Sequence, residues 1–282
     1  MNSPRKLRIA TRKSPLALWQ AERVAFLLQT KLEVQTELLP MSTTGDRQAQ
    51  WNLAEKGGKG LFTKELEDAL IQGDADLAVH SAKDMPTECP SGLSLSAFVE
   101  RDDPRDVLIL KDGMDTPKVM ATGSPRRQAQ LKDCFPQCEW IQLRGNVETR
   151  LRKIAEQDEA DGTILAAAGL ARLGLTGYPG LKFMHLPVSE MVPAAGQGAI
   201  AIQTRSGDKD EYVRLGSSTT QKDVSIERHV LESQGGGCQI ALGVCVQQGN
   251  LHFFEEGVGY LSFSCNEMSE SEIMKKIKDF YR

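Results

Sequence analysis

The stretch Leu7-Arg-Ile-Ala-Thr-Arg-Lys-Ser-Pro15 decides the fold, because it joins an apolar strand directly to the start of a helix. Leu7 to Thr11 predicts a buried strand. Ser14 stands at the N-cap position and Pro15 at the first helical position, where these residue types are favoured. Apolar residues then recur at helical spacing, at Leu18, Ala21, Ala25 and Leu28.

The same alternation of strand and helix continues along the chain. Further strands are predicted at Thr36–Met41, Leu77–His80, Val107–Leu110, Val119–Thr122, Trp140–Leu143 and Thr163–Ala166. Helices are predicted near Thr63–Ile71 and from Ser124 and Val147. This order indicates an α/β fold with parallel strands. The turn-rich Asp102-Asp103-Pro104 separates two such α/β regions, and Ala194–Thr204 predicts a strand able to return to the first sheet.

The character of the chain changes from about Ser217. A polar helix leads to Gly235-Gly-Gly-Cys238, and the last helix begins with the capping box Ser269-Glu-Ser-Glu272. Between them, short strands are predicted at Ala241–Gln247, Leu251–Glu255 and Gly259–Ser264. The pattern predicts a small α+β domain at this end.

Composition limits the classes of protein to consider. The 282 residues are 40% apolar and 26% charged, which suits a globular chain of two or three domains. A net charge of −4 gives no general attraction for nucleic acid, and no apolar run approaches the ~18 residues of a membrane span. No secretory signal is visible, and six scattered cysteines indicate reduced thiols, so we expect a cytoplasmic protein. No spacing of cysteine and histidine suggests a metal site.

Cations recur where a strand leads into a helix. Arg12 follows the first strand, Arg126 and Arg127 follow Ser124-Pro125, and Arg144 follows another strand. A helix N-terminus disfavours arginine unless an anion binds there, because backbone N–H groups and guanidinium groups then share it. Solvated surface arginines are the alternative at any single site. Their recurrence at equivalent junctions favours a polyanion site, which we expect to be an arginine-lined cleft for a small, multiply carboxylated substrate.

Three further motifs carry chemistry. Asp84 beside Lys83 ends a buried strand, where a carboxylate can steady a developing cation; a simple turn residue before Pro86 is the alternative. Gly57-Gly-Lys59-Gly60 fails the phosphate-loop spacing and suggests a mobile, basic lid. Cys238 follows three glycines on what we expect to be an exposed, flexible loop, which favours an attachment or nucleophile role over an inert filler.

These motifs, in this order, resemble the porphobilinogen deaminase family over almost the whole chain. The matching stretches are Leu7–Gln20, Gly57–Phe62, His80–Pro86, Arg101–Asp106, Arg126-Arg127, Leu143–Val147, Ala168–Gly174, Gly196–Gly198 and Gly236–Gln239. The resemblance implies two α/β domains of the periplasmic-binding-protein type (type II) joined by a hinge, and a small α+β domain. Their expected bounds are 1–98 with 194–212, 102–188, and 217–282.

The resemblance also implies a covalent dipyrromethane cofactor and the residues that serve it. Cys238 is expected to hold the cofactor through a thioether, and Asp84 to be the catalytic carboxylate. The other expected cofactor contacts are Ser81, Lys83, Thr122, Ser124, Arg126, Arg127, Arg150 and Gln197. The expected substrate contacts are Arg12, Ser14, Lys59, Arg144, Arg150 and Arg172.

The activity implied is that of a transferase, hydroxymethylbilane synthase. Such an enzyme condenses four porphobilinogen units with loss of ammonia and releases the linear tetrapyrrole for haem biosynthesis; we expect a monomer. A non-catalytic, periplasmic-type binding protein for small anions is the alternative. A phosphate- or nucleotide-binding transferase is disfavoured by the failed phosphate-loop spacing. The sequence departs from the family pattern at Thr44, Glu55, Gly123 and Ala241-Leu242, and its third domain is short.

Overall fold

A computed structural model describes residues 6–47, 60–236 and 240–281. The chain divides into two compact units. The first contains Met1–Asp102 and Ala199–Lys222, and the second contains Asp103–Gly198 and Asp223–Arg282. The predicted division into three domains stays a prediction.

The strands are β1 (Leu7–Arg12), β2 (Thr36–Met41), β3 (Leu77–Ser81), β4 (Leu93–Phe98), β5 (Asp106–Lys111), β6 (Val119–Ala121), β7 (Glu139–Ile141), β8 (Gly162–Ala166), β9 (Leu181–His185), β10 (Ile200–Arg205), β11 (Leu242–Gln247), β12 (Asn250–Glu255) and β13 (Gly259–Ser264). The helices are α1 (Pro15–Leu32), α2 (Thr44–Arg47), α3 (Lys64–Gln72), α4 (Pro125–Leu131), α5 (Val147–Ala155), α6 (Ala167–Arg172), α7 (Lys209–Tyr212), α8 (Ser218–Ser233) and α9 (Glu270–Phe280). Within the described residues, none of these helices has the length and apolar character needed to cross a bilayer.

The first unit is built on a five-stranded sheet of order β2-β1-β3-β10-β4. β1 is parallel to β2 and β3, as the alternation of strand and helix predicts. β10 is antiparallel to both of its neighbours, so the expectation of parallel strands holds for only part of the sheet. The strand predicted at Ala194–Thr204 does return to this sheet, but it begins at Ile200.

Helix α1 covers one face of this sheet because its sequence supplies both a start signal and an apolar face. The Ser14 side chain caps the helix by accepting a hydrogen bond from the Ala17 backbone N–H. Val24 and Leu28 are fully buried against Ile9 and Leu77 of the strands. Burying a side chain of this size stabilises a fold by about 1.5–3 kcal/mol. The helix therefore fixes the position of the segment that follows β1.

The second unit contains a five-stranded sheet of the matching order β7-β6-β8-β5-β9. β6 is parallel to β7 and β8, and β5 is antiparallel to β8 and β9. In both sheets, therefore, three parallel strands are followed by one antiparallel strand and then an outer strand. The antiparallel strand is β10 in the first sheet and β5 in the second. In chain order, β10 is the last strand of its sheet and β5 is the first strand of its sheet.

The same unit carries a three-stranded antiparallel sheet of order β11-β12-β13. Phe253 and Leu251 of β12 are fully buried against α8 and α9 residues such as Val230 and Ile277. The predicted capping box is present at the start of α9, where Ser269 and Glu272 exchange hydrogen bonds. The predicted fold class, two α/β sheets and a small α+β part, is confirmed.

Candidate functional site

The first group of predicted site residues lies at the carboxyl ends of β1 and β3. Arg12 ends β1, and Ser14 caps the helix that follows. Ser81 ends β3, and Lys83 and Asp84 lie in the short 3₁₀ helix after it. Because β1 and β3 are adjacent and parallel, their carboxyl ends meet at one edge of the sheet. This is the edge at which α/β sheets bind ligands.

Asp84 is half-buried at this edge. Among the residues that the structure describes, its carboxylate has no hydrogen-bond or ion-pair partner. A half-buried carboxylate without a partner loses hydration and gains nothing in return, unless a ligand supplies a donor. The position therefore suits a group that acts on a bound N–H.

The strand before Asp84 is held by a buried polar network. Gln20 of α1 donates from Nε2 to Ser81 Oγ at 2.9 Å. His80 is buried, and its Nε2 lies 3.0 Å from Gln203 Oε1. Burial lowers the pKa of His80 to about 4, so its ring is neutral at physiological pH. His80 is thus a buried strand histidine, and Gln20 is a supporting residue that the sequence motifs did not single out.

Arg12 is held by a carboxylate and by an aromatic ring. Asp46 accepts hydrogen bonds from its Nε, at 3.3 Å, and from its Nη2. The guanidinium carbon lies 4.3 Å from the centre of the Phe62 ring, within the range of a cation–π contact. Neither partner was predicted.

The second group lies at the carboxyl ends of β6, β7 and β8. Ser124 caps α4 by accepting from the Arg127 backbone N–H at 3.5 Å. The Ser124 backbone N–H in turn donates to Thr122 Oγ1 at 3.2 Å. These contacts fix the turn between β6 and α4, where the sequence predicts anion binding.

Arg126 and Arg127 are both buried, with 4% and 7% of their surface exposed. Arg127 donates from Nε and Nη2 to Asp106 Oδ1, at 3.1 and 2.7 Å. Arg126 Nη1 lies 2.8 Å from Asp106 Oδ2 and donates to the Val192 carbonyl at 2.6 Å. Burial alone would raise the pKa of Asp106, but the two guanidinium charges outweigh it and keep the pKa well below its usual range. One carboxylate thus faces two cations, which leaves a surplus positive charge.

Arg126, Arg127 and Asp106 form a buried cluster, and residues of the turn before β10 complete it. Gln197 is fully buried and donates from Nε2 to Asp106 Oδ1 at 3.0 Å and to the Pro104 carbonyl at 2.7 Å. Arg172 donates from Nη2 to the Gly198 carbonyl at 2.6 Å. Glu227 of α8, also fully buried, accepts from the Gly196 backbone N–H at 2.7 Å. The Gly196–Gly198 turn is therefore held from three sides.

Arg144 and Arg150 lie around the start of α5. Arg144 follows β7, and Arg150 donates from Nε to the Gly145 carbonyl at 2.8 Å. Gly145 has a φ of +121°, a conformation open to glycine, and so permits this sharp turn. A Cβ added at Gly123 would lie 3.8 Å from the Arg144 guanidinium, so these two junctions come close together.

Cys238 and Lys59 lie outside the described residues, but the segment before Cys238 is defined. Gly235 has a φ of +69°, and the N–H of Gly236 donates to the Leu231 carbonyl at 3.0 Å. This is a left-handed cap that ends α8. A Cβ on Gly236 would lie 2.5 Å from the Leu231 carbonyl oxygen. Gly235 therefore serves the left-handed conformation of the turn and Gly236 serves close packing, beyond the flexibility expected from the sequence.

The main residues that sequence reasoning missed are Asp106, Glu227 and Asp46. Asp106 lies within the quoted Arg101–Asp106 stretch and begins the buried strand β5, where a carboxylate needs a partner. Glu227 is an acidic residue in the apolar part of α8, next to Ile226. An acidic residue in a buried strand or beside apolar helix residues indicates that a partner is needed, as at Asp106 and Glu227. Only the fold reveals which partner it is.

The sequence of the chain matches the sequences of known proteins. The family model for the dipyromethane cofactor binding domain of porphobilinogen deaminase matches residues 7–212. The porphobilinogen deaminase of Syntrophomonas wolfei is 44% identical over 260 residues, 88% of this chain and 83% of that protein. That of Nitrosomonas europaea is 45% identical over 252 residues, 86% of this chain and 80% of that protein.

Among solved structures, the chain is similar to the periplasmic VFT2 domain of Bordetella pertussis BvgS. The identity is 18% and the TM-score 0.43, over 73% of this chain and 82% of that one. The sequence matches define an enzyme of tetrapyrrole synthesis. More particularly, the chain belongs to the porphobilinogen deaminase family.

The family implies a dipyrromethane cofactor, and the donor set of the second unit fits such a group. A dipyrromethane carries several carboxylates. The buried cluster offers two guanidinium groups for one protein carboxylate, and Thr122 and Ser124 add hydroxyl groups at the N-terminus of α4. Guanidinium groups bind planar carboxylates through paired N–H donors.

Proposed function

We propose that the chain is a transferase, a hydroxymethylbilane synthase that condenses four porphobilinogen units and releases the linear tetrapyrrole. The observation that carries this proposal is the Asp84 carboxylate, without a partner in the described residues, at the same sheet edge as Arg12 and the N-terminus of α1. The edge combines a site for a substrate carboxylate with an acceptor for a substrate N–H. Membership of the family supports the same reaction.

In this proposal, the arginines bind and orient the substrate and the growing chain. Porphobilinogen carries an acetate and a propionate group, and each added unit brings two more carboxylates. Arg12 and Ser14 bind such groups in the first unit. Arg144, Arg150 and Arg172 bind them in the second, and Lys59 contributes from a segment outside the described residues.

Asp84 acts on the reacting pyrrole ring. Loss of ammonia from porphobilinogen leaves an electrophilic azafulvene with positive charge shared by the ring nitrogen. The Asp84 carboxylate accepts the N–H hydrogen bond and stabilises that charge, and it then takes up the proton released on carbon–carbon bond formation. Placing a fixed charge where charge develops typically contributes a factor of about 10²–10³ in rate.

The dipyrromethane, when bound, supplies a nucleophilic pyrrole carbon to which the first unit is joined. Cys238 would hold it through a thioether. Arg126, Arg127, Thr122 and Ser124 would bind its carboxylates, and the remaining proposed contacts are Ser81, Lys83, Arg150 and Gln197. Asp106 keeps the two guanidinium groups in place, and Gln197 donates a hydrogen bond to Asp106, so a carboxylate meets donors that need no rearrangement.

The setting is also part of the proposal. We place the enzyme in the cytoplasm, as a monomer that uses a small-molecule substrate and binds neither nucleic acid nor membrane. In support, five cysteines in the described part of the chain are not joined in disulfides. The net charge of −4 provides no general attraction for nucleic acid.

The test is the intact mass of the purified chain before and after brief incubation with porphobilinogen. We expect the starting protein to exceed the chain mass by two pyrrole units, and incubation to add further units in steps. Cys238→Ser should lack the increment. A wild-type protein of unmodified mass that binds porphobilinogen without adding units or forming a tetrapyrrole would instead be a small-anion binding protein.

A further inference from the structure

The turn Thr43–Asp46 and Phe62 enclose the guanidinium group of Arg12. Asp46 occupies the side-on edge of that group, formed by Nε and Nη2. The Phe62 ring covers one face at 4.3 Å. Arg12 is therefore held by an ion pair and a cation–π contact at the same time, a combination that leaves a long side chain little freedom.

Asp46 is itself fixed by the turn. Its Oδ2 accepts from the Thr43 backbone N–H at 3.2 Å and from Thr43 Oγ1 at 2.8 Å. Partial burial would raise the pKa of Asp46, but the hydrogen bonds from Arg12 and Thr43 together lower it. The carboxylate thus stays ionised at neutral pH and keeps one orientation.

The turn is also attached to the segment that carries Phe62. The Gly45 N–H donates to the Leu61 carbonyl at 2.8 Å. Thr44 donates to Glu65 Oε1 from its backbone N–H, at 2.7 Å, and from its hydroxyl, at 2.6 Å. A Cβ on Gly45 would lie 2.2 Å from the Phe62 ring, so the ring rests directly on the backbone of the turn, at a place where a side chain would displace it.

The end-on edge of Arg12 remains for a ligand. Across residues 6–47, 60–236 and 240–281, no acceptor other than Asp46 contacts this guanidinium group. Nη1 and the second N–H of Nη2 therefore present two parallel donors, the geometry that a planar carboxylate accepts.

We propose that Asp46 is a positioning residue, which holds Arg12 so that its end-on edge receives a carboxylate of the substrate. Phe62 supports the same orientation from the face. The inference rests on the proposed function, because it assigns to Arg12 the carboxylates of porphobilinogen and of the growing chain. Asp46 does not touch the substrate and acts only through Arg12.

The test compares Asp46→Asn with the matched control Asp208→Asn. The amide that the first substitution introduces can still accept from Thr43 but lacks the charge that holds Arg12. Asp208 pairs with Arg205 at 2.9 Å, and this pair is about as exposed as the pair of Asp46 and Arg12. We expect Asp46→Asn to raise the KM for porphobilinogen about tenfold while kcat changes less, and the control to change neither. A lower KM would show that Asp46 competes with the substrate and would overturn the proposal.

A double-mutant cycle separates positioning from a merely structural role. If Asp46 acts only through Arg12, Asp46→Asn should change KM little further in an Arg12→Leu background. An equal additional loss in that background would mean that Asp46 supports the fold independently and would overturn the positioning role.

A second readout does not depend on turnover. Phenylglyoxal modifies the two terminal nitrogens of an arginine, and peptide mass mapping reports its rate at Arg12. Propionate should slow this modification in the wild-type holoenzyme, and Asp46→Asn should need about tenfold more propionate for the same protection. Equal protection in both proteins would overturn the positioning role. A wild-type protein that shows protection but no turnover would count against the proposed function alone.

Discussion

Removal of the Asp106 carboxylate should destabilise the protein more than loss of any exposed acidic residue. Asp106 is fully buried between two guanidinium groups that are themselves 4% and 7% exposed. Asp106→Ala leaves both cations buried without a counter-charge. Breaking a buried pair in this way costs about 3–5 kcal/mol, a large part of the roughly 5–15 kcal/mol that stabilises a typical protein.

The assay is urea unfolding at pH 7, followed by far-UV circular dichroism, with Asp103→Ala as control. Asp103 pairs with Arg105 at 2.7 Å on a far more exposed surface, so its loss should cost less than about 1 kcal/mol. Asp106→Asn keeps the side-chain shape if the alanine variant does not fold. A free energy of unfolding within about 1 kcal/mol of wild type for both Asp106 variants would refute the reasoning.

The ion pairs of Asp106 also predict that the stability of the folded protein depends on pH. The folded pKa of Asp106 lies below the value of about 3.9 for an unfolded aspartate, so its contribution is complete above that pH. The contribution is lost as the pH falls towards the folded pKa, by up to about 1.4 kcal/mol per pH unit. The stability difference between wild type and Asp106→Asn should therefore be constant from about pH 7 to 5 and shrink below about pH 4. A difference that grows on acidification would contradict this assignment.

Three further substitutions test other parts of the site. Asp84→Asn should lower turnover by about 10²–10³ and leave the urea midpoint unchanged; near-normal turnover would exclude the catalytic role. Gly236→Ala should lower the free energy of unfolding by about 1–3 kcal/mol, because its Cβ would lie 2.5 Å from a carbonyl oxygen. The control Gly207→Ala has open space around the new Cβ and should lower it less. Equal urea midpoints for the two variants would contradict this prediction. Glu227→Gln should speed amide hydrogen exchange at Gly196 and Val246, whose N–H groups both donate to Glu227 at 2.7 Å; unchanged exchange would show that these bonds contribute little.

Local signals in the sequence were sufficient for most of the fold. The capping residues Ser14 and Ser269 begin helices as predicted, and β2 and β13 have the predicted bounds. Strands β4 and β9 were not predicted. β4 alternates leucine and serine, and one of these serines, Ser96, is buried in the structure. β9 is an outer strand with exposed positions. Neither strand therefore shows a clear apolar run in the sequence. Strand direction depends on pairing with distant segments, which local patterns do not record.

For the site, the sequence supplied positions but not partners. It placed Arg126 and Arg127 at a helix N-terminus, as observed. It did not indicate that both are buried on Asp106, because a pairing across 21 residues of chain depends on how β5 and α4 meet. Whether the pair also binds cofactor carboxylates stays a prediction. The roles of Cys238 and Lys59, which lie outside the described residues, stay predictions as well.

The position of β10 has a consequence for how the chain is made. β3 and β4 are not neighbours in the first sheet, because β10 lies between them and supplies hydrogen bonds to both. A ribosome has to synthesise the chain as far as Arg205 before that gap can close. Until then, β4 lacks its only strand partner within the described sheet and β3 has one open edge, although both strands were completed about 100 residues earlier. The first sheet therefore cannot be completed until β10, which follows the whole second α/β region in the chain, has left the ribosome. The nascent chain has to protect two strand edges during that interval.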